Sequence, residues 1–151
     1  MPGPERELPV LVSACLLGQA CRYDGRHNLD GALERELAAR GERAVPFCPE
    51  EHGGLGTPRP PAWITRTEAG AARVVTAEGH DVTEPFHRGA DGALELCRRE
   101  GIQKAYLKER SPSCGVATTH VENLVTRGPG ITTARLRAAG IETLGVEGRR
   151  D

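Results

Sequence analysis

Aromatic side chains are scarce in this chain: among 151 residues only Tyr23, Phe47, Trp63, Phe86 and Tyr106 carry an aromatic ring. That leaves few platforms on which a single nucleic-acid strand can stack its bases. Long apolar runs are absent too. The stretch 9–17 falls far short of the about 20 residues a membrane helix needs, and residues 1–8 are charged rather than the apolar start of a signal peptide. An excess of charge is also missing, since 20 basic residues stand against 21 acidic ones, so no bulk field draws the chain to nucleic acid or to an anionic membrane. Neither a G-x-G-x-x-G nor a P-loop pattern occurs, which removes support for a nucleotide cofactor. Together these absences point to a cytoplasmic protein that acts on a small molecule, with membranes excluded and polymeric nucleic acid disfavoured as partners. They leave the oligomeric state open.

The length suits a single domain, 1–151, large enough to bury one hydrophobic core without disulfide or metal staples. Its 19 glycines and 11 prolines imply many shaped loops. Apolar runs at 9–14, 44–47, 103–107 and 142–146 read as strands. Between them, helical spacing of apolar residues marks 30–40, with Gly41 as a stop, then 84–99 before Gly101, and 131–139 before Gly140. Strands alternating with helices predict an α/β fold with a sheet of about four parallel strands flanked by helices. Residues 63–64 and 73–76, with a turn before 81–83, predict a small β-hairpin insertion. The segment 51–61, EHGGLGTPRPP, is punctuated by Gly and Pro too densely for a helix or a ladder strand and is expected to be an ordered loop or a lid. The core should run from about 9 to 146 between flexible ends, 148–151 forming a loose tail.

Five cysteines are an odd number, and in a reducing cytoplasm they are better read as ligands, nucleophiles or buried thiols than as a disulfide framework. Cys15, Cys48 and Cys114 each follow a predicted strand. In open parallel sheets the loops at the carboxyl ends of strands converge on one crevice, so three cysteines remote in sequence can meet there. Three thiolates can hold an iron–sulfur cluster whose remaining iron binds a soft substrate sulfur, or a zinc ion with water in its fourth position. No close C-x-x-C pair decides between these. His27, His52 and His120 are candidate fourth ligands, although a lone loop histidine is ordinarily just solvated. Cys21 opens the segment CRYDG and stands near the site without a settled role, whereas Cys97 sits on the apolar face of a predicted helix and belongs to the core.

Glu50 comes two residues after Cys48, where a neighbouring thiolate would raise its pKa towards the range a proton-transfer group needs. Ser111 and Ser113 flank Pro112 ahead of Cys114 and offer hydroxyls to a ring nitrogen, a carbonyl or a water. Turn formation at Ser-Pro explains them equally well. Gly53, Gly54 and Gly56 would let backbone approach a ligand, and Arg59 would anchor a carbonyl.

Four ordered blocks, VSACLLGQACRYDG (12–25), FCPEEHGGLGTPRPPAWI (47–64), DVTEPFHRGA (81–90) and KERSPSCG (108–115), resemble the TudS-like thiouracil desulfurase family, and the likeness runs from about 9 to 146. The resemblance implies an α/β fold carrying a [4Fe-4S] cluster on Cys15, Cys48 and Cys114. It implies an activity that turns a thiolated pyrimidine such as 2-thiouracil into uracil and sulfide, without an external redox cofactor. By the same resemblance Glu50 is the acid/base residue and Ser111 the assisting serine, with Ser113 as the fallback. Trp63 departs from the smaller or acidic residue expected after the PRPPA segment, which bears on substrate shape. A zinc-thiolate hydrolase and a non-catalytic iron–sulfur or sulfur-carrier module are the alternatives.

Overall fold

Along the first strand, β1 (Leu8–Ser13), Val10 and Val12 face one side and Leu11 the other, and all three are buried. A strand apolar on both faces belongs in the middle of a sheet covered on both sides. The computed structural model describes residues 7–66, 69, 71–116, 118–121, 124–127 and 129–150, with backbone only at 66, 118–121 and 124–127. It places β1 inside a four-stranded parallel sheet, ordered β2 (Glu42–Phe47), β1, β5 (Lys104–Lys108), β8 (Glu142–Val146). The expected parallel sheet is therefore present, with strand limits shifted by a residue or two.

Helix α1 (Gly31–Arg40) covers the Val10 and Val12 face with Leu33 and Leu37. Burying each of those leucines contributes roughly 1.5–3 kcal/mol. Asp30 caps this helix, its carboxylate accepting from the Leu33 amide at 2.9 Å, and Gly41 ends it at φ +69°, a conformation glycine adopts without strain. The Leu11 face is covered by α3 (Thr83–Glu100) through Ala93 and Cys97, and by α4 (Ile131–Ala138) through Leu136.

A second sheet is larger than the expected hairpin. Its order is β4 (Ala72–Thr76), β3 (Ala62–Arg66), β6 (Thr118–Val121), β7 (Leu124–Arg127). The pairs β3–β4 and β6–β7 are antiparallel hairpins, joined by a parallel contact at Ile64 and Val121. Ile64 and Val74 pack on Phe86 of α3, which fastens this sheet to the first layer.

Two expectations are corrected. Residues 51–61 are not wholly a loop, because one helical turn, α2 (Pro49–His52), opens the segment with Cys48 as its N-cap and Pro49 where no amide hydrogen is required. This turn lies against α3 so closely that a Cβ on Gly89 would come within 2.1 Å of the Pro49 carbonyl oxygen, and one on Gly53 within 2.0 Å of that of Pro85. Nor is the end of the chain loose up to residue 150. The Arg150 carbonyl accepts from the Gly31 amide at 2.8 Å, and its guanidinium pairs with the fully buried Asp30 and with Glu36.

Candidate active site

In the parallel sheet the chain steps from β1 outward to β2 and later returns to the other side of β1 to lay down β5, so the strand order reverses there. Ligands of open α/β sheets bind in the crevice that such a reversal opens at the carboxyl ends of the strands. A cavity of about 600 Å³ occupies that place. Cys15, in a 3-10 turn (Ala14–Leu17) directly after β1, lines it, as do Cys48 after β2 and Cys114 in the loop after β5. Glu147 and Arg149, just beyond β8, close its rim.

Cys21 reaches the same cavity. The loop from Gly18, at φ +95°, doubles back so that the Asn28 amide donates to the Cys15 carbonyl at 2.8 Å, which carries Cys21 inward, where it is 4 % exposed. Its thiol hydrogen-bonds to both Cys15 and Cys48, and those bonds push its pKa far up. The same bond from Cys21 draws Cys15 down to about 7, against the effect of burial and with help from Asn28 and Lys108; it lowers Cys48 as well. Cys114 is different, its thiol pushed up to about 12 by burial. Cys97 is buried in the core, as expected, and burial raises it to about 11.

Glu50, in the first turn of α2, also lines the cavity. A like-charge neighbour was expected for it, but its direct partner is a cation: Arg59 donates to Glu50 Oε2 from Nε at 2.8 Å and from Nη2 at 2.5 Å. Arg59 itself lines the cavity, and its remaining donors reach the Gly56 carbonyl, the Thr57 hydroxyl and the Cys21 carbonyl. The guanidinium ties the loops at Cys21 and at 56–57 to α2. Gly53 serves the packing of α2 on α3, and nothing lies within 4 Å of a Cβ placed on Gly56.

Ser111 lines the cavity, its hydroxyl oxygen accepting from the Ser113 amide at 3.1 Å and the Cys114 amide at 3.0 Å. Ser113 does not line it. Fully buried, its hydroxyl lies 2.7 Å from that of Thr132. Of the histidines, His27 and His52 are exposed outside the cavity; His27 Nδ1 accepts from the Leu29 amide at 3.1 Å, and His52 packs on Phe47 with ring centroids 5.0 Å apart. The backbone of His120 is part of β6 and not of a loop, and its side chain lies outside the described residues.

Three features escaped the sequence reading. Asn28 donates to the Cys15 sulfur at 3.3 Å. Lys108, the last residue of β5, lines the cavity; burial pulls its amine below the usual range, while the Cys15 thiolate opposes that shift. Four of the five aromatic residues, Tyr23, Phe47, Trp63 and Phe86, gather on the cavity wall. No helix among the described residues is long and apolar enough to cross a membrane.

Residues 10–147 match the 2-thiouracil desulfurase family. A solved structure described as a [4Fe-4S]-dependent thiouracil desulfidase, TudS, superimposes with a TM-score of 0.79 at 48% identity, covering 91% of this chain and 90% of that one. The uncharacterized protein YbbK of Bacillus subtilis (strain 168) is 36% identical over 143 residues, which is 89% of this chain and 93% of that protein. The matched residues extend from the first buried strand to the cavity rim beyond β8, so fold and site are covered together: the chain belongs to the 2-thiouracil desulfurase family.

Proposed function

We propose that this chain is a cytoplasmic, single-domain enzyme that replaces the sulfur of a thiolated pyrimidine such as 2-thiouracil with oxygen, using a [4Fe-4S] cluster held by Cys15, Cys48 and Cys114. The observation that carries the reading is that the ends of three neighbouring parallel strands bring these thiols to one cavity that Tyr23, Phe47, Trp63 and Phe86 also line. Likeness to a [4Fe-4S]-dependent thiouracil desulfidase at 48% identity supports it. The donor set fits such a cluster. The thiols of Cys15 and Cys114 are buried and soft, and the Asn28 amide, the Lys108 amine and the Arg59 guanidinium stand by to balance negative sulfur.

When bound, the cluster supplies a Lewis-acidic iron suited to a thiocarbonyl sulfur. The chain's own groups do the rest. Phe47, Trp63, Phe86 and Tyr23 receive a flat ring and keep bulk water from it. Glu50, its carboxylate aimed by the two bonds from Arg59, takes a proton from the attacking water and passes it to the departing sulfur. Ser111 offers its hydroxyl to the ring beside Cys114. Thiocarbonyl and water give carbonyl and hydrogen sulfide with no net electron transfer, so no external redox partner is required. The near-neutral overall charge favours a free base or nucleoside over polymeric RNA.

A single zinc ion is the second reading, and one observation favours it: the ligand atoms of Cys21, Cys48 and Glu51 lie within 4.8 Å of one another, close enough for one ion. Anaerobic reconstitution followed by iron, sulfide and zinc analysis separates the two. Iron and sulfide in equal amounts, lost on replacing Cys15, Cys48 or Cys114 by alanine but kept in Cys97→Ala, together with conversion of 2-thiouracil to uracil and sulfide, is the expected result. Zinc without sulfide, or full iron retention in all three cysteine variants, overturns the assignment.

A further inference from the structure

We propose that Asn28 is a positioning residue that tunes the cluster through the Cys15 sulfur, and that the end of the chain, through Arg149, fixes it in the donating orientation. The inference rests on the cluster reading above. Asn28 is 5 % exposed and its Nδ2 lies 3.3 Å from Cys15 Sγ. The two ends of a carboxamide look alike by shape, but here the neighbours distinguish them. The other end meets Arg22 Nη1 at 3.2 Å and Arg149 Nε at 3.1 Å, and a guanidinium has hydrogens to give and no lone pair to accept with. That end must be the carbonyl oxygen, which leaves the N–H₂ group towards sulfur.

The two cationic donors also polarise the amide, making its N–H the stronger donor. Backbone bonds hold the residue on both sides, from the Asn28 amide to the Cys15 carbonyl at 2.8 Å and from the Arg149 amide to the Asn28 carbonyl at 3.3 Å. The chain end gains this approach at Gly148, where φ is +89° and a Cβ would lie 3.1 Å from the Asn28 carbonyl oxygen. A segment 121 residues away in sequence thus orders a hydrogen bond to a candidate ligand sulfur. Hydrogen bonds to cluster sulfurs raise the reduction potential and hold the ligand in place, and loss of such an outer partner typically costs 10–100-fold in metal affinity.

The test uses the full chain, reconstituted anaerobically, with three variants read by redox titration and by iron release to a chelator. Asn28→Asp keeps oxygens for both arginines but has no N–H for the sulfur. Asn28→Leu removes the donor without adding charge. Arg149→Ala leaves the donor and the Arg22 bond but removes one of the two cations that hold its orientation, and Arg149→Lys should return part of what that variant loses. A lower potential and iron release faster by about tenfold or more in both Asn28 variants, with a smaller change in Arg149→Ala, is expected. Should an Asn28 variant fail to fold, Arg149→Ala, at the periphery, carries the test. Wild-type potential and release rate in every variant that folds, or a change confined to Asn28→Asp and therefore due to charge alone, overturns the proposal. A wild-type chain that takes up no iron and sulfide defeats the cluster reading itself, a result distinct from a loaded chain that Asn28 variants leave unchanged.

Discussion

Arg59→Ala is the substitution most informative about how the site is held. The Arg59 side chain is 9% exposed and that of Glu50 16%, so the pair sits nearer the buried limit, where removing one partner costs 3–5 kcal/mol, than the surface limit of 0–1 kcal/mol. The variant also strips donors from the Cys21 and Gly56 carbonyls and the Thr57 hydroxyl, although water can reach some of these. Taking about 3 kcal/mol as the net loss, and a shift of about 2–4 °C per kcal/mol for a chain of this size, Tm should fall by roughly 6–12 °C. The assay is thermal unfolding by circular dichroism on the reduced, cluster-free chain, so that metal loss does not enter.

Arg59→Lys keeps the charge but not the fork and should recover less than half. The double variant Glu50→Gln/Arg59→Ala should be less damaging than the two single losses added together, with a coupling of about 1 kcal/mol or more, because the carboxylate stranded by the first change is then gone. A loss in Arg59→Ala under about 1 kcal/mol, or strict additivity in the cycle, refutes the clamp.

Glu50→Gln keeps the shape of the side chain and removes its titration, so turnover of 2-thiouracil should fall by about 10²-fold with iron content unchanged; undiminished turnover takes Glu50 out of the mechanism. Ser111→Ala should lower turnover, and its lost acceptor for the Ser113 and Cys114 amides should show as a modest fall in Tm. Ser113→Ala, losing the buried bond to Thr132, should lower Tm by more than it lowers turnover, and the reverse ranking would assign the assisting hydroxyl to Ser113. Burial pushes the Glu42 carboxyl up, but hydrogen bonds from Lys104 and Tyr106 outweigh that and hold it below the ordinary 4.5. Its contribution to stability is therefore complete above that value and lost as pH falls through the lower folded value, so in Glu42→Gln the decline of Tm below pH 4.5 should be shallower than in wild type.

The parallel sheet was legible because its strands are apolar runs and its helices carry their stops, Gly41 and Gly101, both at positive φ. The strands β6 and β7 were not, since TTHV and LVTR are short, and their pairing with β3 closes a loop of more than fifty residues that no local pattern announces. The cysteines at strand ends could be read because topology alone sends such positions to one crevice. Their neighbours could not. Asn28 reaches Cys15 across 13 residues and Arg59 reaches Cys21 across 38, and nothing in a proline-rich GTPRPP segment distinguishes an arginine that binds substrate from one that binds its own chain. The few aromatic residues leave little platform for a nucleic-acid strand, and the sequence gives no sign that four of the five line one cavity.

A net charge of −1 conceals how unevenly charge is spread. Cys15, Cys21, Cys48 and Cys114 together with Glu50 bring acid-capable groups into one cavity, and there the chain sets Lys108 at the end of β5, Arg59 against Glu50, and Arg22 and Arg149 behind Asn28. These thiols do not all ionise alike: Cys15 and Cys48 are drawn down while Cys21 and Cys114 are pushed up, and nearby cations and N–H donors offset the repulsion between the groups that do ionise. The cations come from different strand ends and loops, each anchored to backbone or to a fixed acceptor: Lys108 Nζ to the Glu109 carbonyl at 2.9 Å, Arg59 to the Cys21 carbonyl at 2.9 Å. The cations that face these thiols thus come from the chain itself. One cavity combines four aromatic side chains, suited to the flat face of a ring, with four cysteine sulfurs, suited through a bound metal to a soft atom such as thiocarbonyl sulfur.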